Sequence, residues 1–132
     1  MTAPQVWSSW VPGNVAVAGA SEAVIGTLVI GSMPQHGNLV RLVCSATVAI
    51  DTSATSIILK IHEDSISGAT LATVEYKGAA ADTDLFVTLP VNATDQLGEF
   101  ANKVYVLTST AASAAAGYNA SAVSMMAMVG PG

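Results

Sequence analysis

The sequence predicts an all-β domain, an antiparallel β-sandwich of about eight strands entered through an extended N-terminal arm. Residues 39–76 carry the first reason: apolar and polar side chains alternate with a period of two, the repeat of a strand with one buried face. β-Branched residues fill these runs, and Asp, Ser, Thr and Gly occupy the short breaks between them. The third reason is spacing, since short runs recur between turn signals along the whole chain with no convincing helical stripe.

Residues 1–14 read as the arm, with Pro4, Pro12 and Gly13 opposing regular structure and carrying both tryptophans, Trp7 and Trp10. Segments 14–18 and 23–30 read as strands, and 31–38 (GSMPQHGN) as a loop. Residues 39–50 are a strand whose even-numbered face, Val40, Leu42, Cys44, Ala46, Val48 and Ile50, is wholly apolar. Ile57, Leu59 and Ile61 define the inner face of the next strand, and Ala72, Val74 and Tyr76 one face of the third. Residues 84–89 form a strand. PVNATDQLGEF (90–100) is expected to be a connection with one helical turn near Asp95 to Leu97. Residues 103–109 and 118–129 supply the last strands, separated by an Ala/Ser linker. The sandwich domain is thus 15–132. Val40, Leu42, Val48, Ile50, Ile57, Leu59, Ile61, Val74, Leu85, Val87, Val104 and Val106 are its expected core.

Composition excludes several functions. The 132 residues suffice for one domain with a core, and only 10% are charged, for a net charge of -5. Arg41, Lys60, Lys77 and Lys103 are the only basic side chains, too few and too scattered for a nucleic-acid surface or an anionic membrane. Residues 104–132 carry no charge, yet Ser, Thr and Asn interrupt them too often for a spanning helix. No basic and apolar leader pattern opens the chain. A surface so poor in charge predicts burial in an assembly.

No residue set reads as a catalytic centre, and no metal or cofactor is expected. His62 and Asp64 share a strand face, but two ligands do not make a zinc site, and the residues read as a solvated strand end. Asp82 and Asp84 lack the further oxygens calcium needs. Cys44, the only cysteine, falls on the most apolar face, where a thiol is packing rather than a nucleophile. Trp7 and Trp10 are the candidate site residues. Each indole gains about 2–3 kcal/mol by burial, so one or both are expected to anchor a subunit interface, the alternative being that they fold back on their own domain.

The strand series VRLVCSATVAI, IILKIHED, LATVEY, DLFVTL and KVYVLTST, with the Trp-bearing arm, resembles the jelly-roll head decoration (cement) proteins of tailed bacteriophages. That resemblance implies a jelly-roll sandwich and a structural, non-enzymatic role. It implies a homo-oligomer, a trimer first, bound to major capsid protein subunits on the virion surface and made in the host cytoplasm. The composition also fits a tail-tube or major coat protein. A carbohydrate-binding sandwich of a tail or fibre is the other alternative. It would need exposed aromatics from among Trp7, Trp10, Tyr76, Phe86, Phe100, Tyr105 and Tyr118.

Overall fold

A computed structural model describes residues 5–17, 21–31, 38–50, 56–77, 85–97, 102–111 and 118–131. Nine strands follow one another: β1 (Gln5–Val11), β2 (Val15–Val17), β3 (Ala23–Ile30), β4 (Asn38–Ile50), β5 (Ser56–Glu63), β6 (Thr70–Lys77), β7 (Leu85–Leu97), β8 (Lys103–Ala111) and β9 (Tyr118–Pro131). One sheet has the order β1-β9-β4-β7, with β2 also on β9, and the other the order β3-β8-β5-β6. Every pairing is antiparallel. Strands consecutive in sequence mostly lie in opposite sheets, which is the jelly-roll arrangement.

The strands form where alternation demanded them. Val40, Leu42, Cys44, Ala46 and Val48 of β4 face Ile57, Leu59 and Ile61 of β5 across one continuous core, each at most 1% exposed. Val74, Val87 and Val104 of the expected core are half-buried, and Val106 is buried on the outer side of its sheet. The side chains of Ile50 and Leu85 lie outside the described residues. In β8 it is Tyr105, Leu107 and Ser109 that pair with Leu28, Ile61 and Leu59 and point inward. Lys-Val-Tyr-Val-Leu is apolar at both parities, so alternation alone could not choose the face.

Two expectations are corrected. The described part of the arm is not free of the sandwich: Gln5–Val11 is strand β1, in unbroken antiparallel register with β9 from Gln5↔Val129 to Val11↔Val123. Pro4 and Pro12 bracket this strand rather than interrupt it. Likewise 90–97 is neither connection nor helical turn, because β7 continues through Pro90 to Leu97. β7 is an edge strand, where the missing N–H of proline can face solvent at no cost to the ladder.

Bulges interrupt both sheets. Register shifts between Ser45 and Thr47 opposite β9, where Ala122 takes the left-handed φ of 49°. There the outer neighbour of β9 breaks too, β1 ending at Val11 and β2 beginning at Val15. In β3 a bulge between Val24 and Gly26 turns Ile25 and Gly26 both inward. A Cβ on Gly26 would stand 2.9 Å from Cγ1 of Val123 and 3.2 Å from Sδ of Met125, both in the opposite sheet. Gly26 is therefore set by close inter-sheet approach. Gly26→Ala should cost about 1–3 kcal/mol in denaturant unfolding. Val123→Ala, which removes the obstructing methyl groups, should make the double variant more stable than the two single losses add up to.

Candidate subunit-interaction surface

Since β-strand side chains alternate, the sheet whose inner face makes the core also presents an outer face. On the β1-β9-β4-β7 sheet that face is built in rungs. Val6, Met128, Arg41 and Thr94 form one, Ser8, Met126, Val43 and Asn92 the next, and Trp10, Ser124, Ser45 and Pro90 the third. Thr47 and Thr88 follow, their hydroxyl oxygens 2.8 Å apart. Val6 (62% exposed), Trp10 (59%), Val43, Met126 and Met128 are all exposed, and they account for most of the large exposed apolar side chains among the described residues. Arg41 is the sole charged side chain in these rungs, and it has no ion pair among the described residues.

The structure separates the two tryptophans that the sequence grouped. Trp7 points inward, opposite Ala127, and packs on the chain's own core. Its ring reaches Gly31, where a Cβ would stand 3.0 Å from Cη2. Small residues at 31 and 127 make room for the indole, so Trp7 belongs to the domain. Its buried Nε1–H has no acceptor among the described residues. Trp10 points outward and remains available for a subunit contact. Of the other aromatics, Tyr105 and Tyr118 are buried and Tyr76 packs against the core, while the side chains of Phe86 and Phe100 lie outside the described residues.

The residues weighed for chemistry are placed as follows. Cys44 is buried, and burial pushes its thiol up to about 11, leaving it a neutral packing group at ordinary pH. His36, Asp82 and Asp84 lie outside the described residues. Among the described residues no three His, Cys, Asp or Glu side chains are grouped to hold a metal. His62 is not a solvated strand end: it is 4% exposed, with Nε2 2.6 Å from Oε2 of Glu22 and Nδ1 3.1 Å from the Gly68 carbonyl and 3.2 Å from Oγ1 of Thr70. Thr108 donates to the same Glu22 oxygen. The cluster ties the start of β3 to β8 and to the β5–β6 turn. In that turn Asp64 adopts φ 68°, and Glu63 and Asp64 flank Lys103 at 3.4 and 3.6 Å. Sequence reasoning missed it because Glu22 and His62 are 40 residues apart and no local pattern links them.

Comparison with known proteins adds the fold alone. No protein-family model and no curated protein matches the sequence. Among solved structures, Eiger TNF from S. frugiperda superposes over 99% of this chain and 94% of its own, at 11% identity and a TM-score of 0.59. The VP2 subviral particle of infectious bursal disease virus matches over 96% of this chain at 11% identity and a TM-score of 0.52. The same virus's Gx strain structure gives 10% and 0.53. The chain spans about a third of those viral chains, 33% and 32%. It is a jelly-roll β-sandwich similar to both TNF and a viral VP2 domain, and no phage family is identified by these matches.

Burial alone would raise the Glu22 carboxyl, but hydrogen bonds from Thr108 and His62 and the charges of His62 and Lys60 outweigh it and hold the carboxyl below its usual value of 4.5. A carboxyl lowered by folding contributes stability above its unfolded pKa, lost as pH falls through the folded one. Glu22→Gln should therefore cost about 1 kcal/mol at pH 7, a partly solvated charge-assisted contact. Thermal melts of the two proteins should converge as pH falls below 4.5.

Proposed function

We propose that the chain is a structural coat component of a virus particle, most specifically a decoration protein that binds the outside of the major capsid shell as a homo-oligomer, a trimer first. The observation that carries this reading is the outer face of the β1-β9-β4-β7 sheet. Its exposed Val6, Trp10, Val43, Met126 and Met128 form an apolar surface interrupted by one charge. Apolar faces of that kind on small domains are contact surfaces. The net charge of -5 and the scarcity of basic residues oppose a nucleic-acid role. The fold likeness to VP2, solved as a subviral particle, is consistent with such a role and does not assign it.

The same reading makes the role a non-enzymatic one. The polar clusters of the described residues are structural: Glu22, His62 and Thr108 join strands, and Tyr105 with Asp95 and Tyr118 with Ser109 join sheets. A glycan platform is less well supported, because Trp10 is the one large exposed aromatic among the described residues.

The test is co-sedimentation with shells of the encoding virus stripped of accessory proteins. Wild-type protein should pellet with the shells in a saturable way. Val43→Glu, which puts a charge at the centre of the outer face while leaving the core intact, should bind at least about tenfold more weakly, the effect of about 1.4 kcal/mol, and retain its far-ultraviolet spectrum. No binding by the wild type, or equal binding by the variant, would overturn the proposal.

A further inference from the structure

A sandwich has four sheet edges, and each is a row of backbone groups ready to pair with another chain. In this protein β3, β6 and β7 carry recognised protection and β1 carries none. The bulge between Val24 and Gly26 breaks β3. Glu75 and Lys77 put charges on β6, and Pro90 interrupts the donors of β7. β1, QVWSSWV, has no charge, proline or glycine, and its register with β9 is unbroken over all seven residues. Its far side has no strand partner among the described residues.

We infer that β1 pairs antiparallel with β1 of a second copy about a two-fold axis at Ser8, joining the β1-β9-β4-β7 sheets of two protomers into one. The occupant is set by self-complementarity. A two-fold perpendicular to the sheet keeps side chains on their own face, so residues of like parity must face each other. The pseudo-palindrome VWSSWV, which would set Trp7 against Trp10, is forbidden by that rule. Placing Ser9 on the axis leaves the first two residues of β1 outside the pairing. Placing Ser8 there pairs the whole of Gln5–Val11, since Ser8 is its midpoint. It sets Val6 of each copy opposite Trp10 of the other, twice, and so brings together the two most exposed large apolar side chains among the described residues. Aromatic and β-branched residues directly opposite are a favourable cross-strand pair. Ser8 then meets Ser8, two small hydroxyls on the axis, and Trp7 stays inward on its own core.

This contact goes beyond the coat-protein reading and does not depend on it. Where that reading also holds, a two-fold through β1 linking trimers would propagate a layer over a shell.

Cysteine cross-linking reads the register. Directly opposite residues of antiparallel strands have Cα atoms about 4.5–5.5 Å apart, within disulfide range. In a Cys44→Ala background, Ser8→Cys should oxidise rapidly to a covalent dimer. Val6→Cys and Trp10→Cys should each cross-link slowly alone and rapidly when mixed. Thr88→Cys, on the β7 edge, is the control. Ser8→Lys, which opposes two like charges on the axis, should raise the dimer dissociation constant at least about tenfold in analytical ultracentrifugation with its thermal midpoint unchanged. Wild-type protein that sediments as a monomer at about millimolar concentration overturns the inference. So does Ser8→Cys cross-linking no faster than Thr88→Cys, or Val6→Cys and Trp10→Cys failing to cross-link when mixed. These readouts need no capsid, so their failure is distinct from failure to bind shells.

Discussion

Everything in this fold depends on the mutual burial of two sheet faces. Neither the even-numbered face of β4 nor the Ile57, Leu59 and Ile61 face of β5 could persist in water alone, and each covers the other. Close approach at Gly26 and Val123 shows how tightly the sheets are brought together at one side. The long central pairing makes this possible. β4 is held between β7 and β9 along its length, so one strand fixes the register of most of its sheet.

The core also holds polar atoms, and their placement is what makes the packing specific. The Tyr105 hydroxyl donates to Asp95 across the sandwich at 2.9 Å, and Tyr118 and Ser109 exchange a hydrogen bond at 2.6 Å near the other end of β8. Burial, then the hydrogen bond to Asp95 and the neighbouring carboxylates, push the Tyr105 phenol upward, so it remains a donor. Burial raises Tyr118 against the opposing effect of its bond to Ser109. A slip of either sheet by one residue would leave these groups buried without partners, a penalty of about 1–3 kcal/mol each. Hydrophobic burial drives the sheets together, and the tyrosines select one alignment.

What could be read from the sequence follows from which signals are local. β4, β5 and β6 were legible because apolar and polar residues alternate within each run. β8 was legible as a strand but not in its facing, since Val104, Tyr105, Val106 and Leu107 are apolar at both parities. β7 beyond Pro90 was hidden because the same proline that ends an inner strand is tolerated on an edge. β1 was hidden for a related reason: two prolines bracket a run that looks like an arm, and only the pairing with β9 shows it to be a strand. The Glu22, His62 and Thr108 cluster draws on three distant segments, and no pattern within one segment could announce it. Of the site residues, nothing in the sequence separated Trp10, which is exposed, from Trp7, whose place needed Gly31 and Ala127 to be seen beneath it.

The two outer faces of the sandwich differ in a way that bears on function. On the β3-β8-β5-β6 sheet the outer side carries Glu22, Lys60, His62, Thr73 and Glu75, so charge and hydrogen bonds break up its exposed Val24 and Val29. On the β1-β9-β4-β7 sheet Arg41 is the only charge in the rungs, whose other polar side chains are neutral Ser, Thr and Asn, and the unprotected edge strand β1 belongs to that same sheet. An edge and a face on one sheet act together, because extending the edge enlarges the face. Two protomers joined through β1 would present a single apolar surface twice as wide, with Arg41 repeated symmetrically on either side of the axis. A surface of that size is better suited to a broad, flat protein partner than to a small ligand, since it offers area and regular spacing.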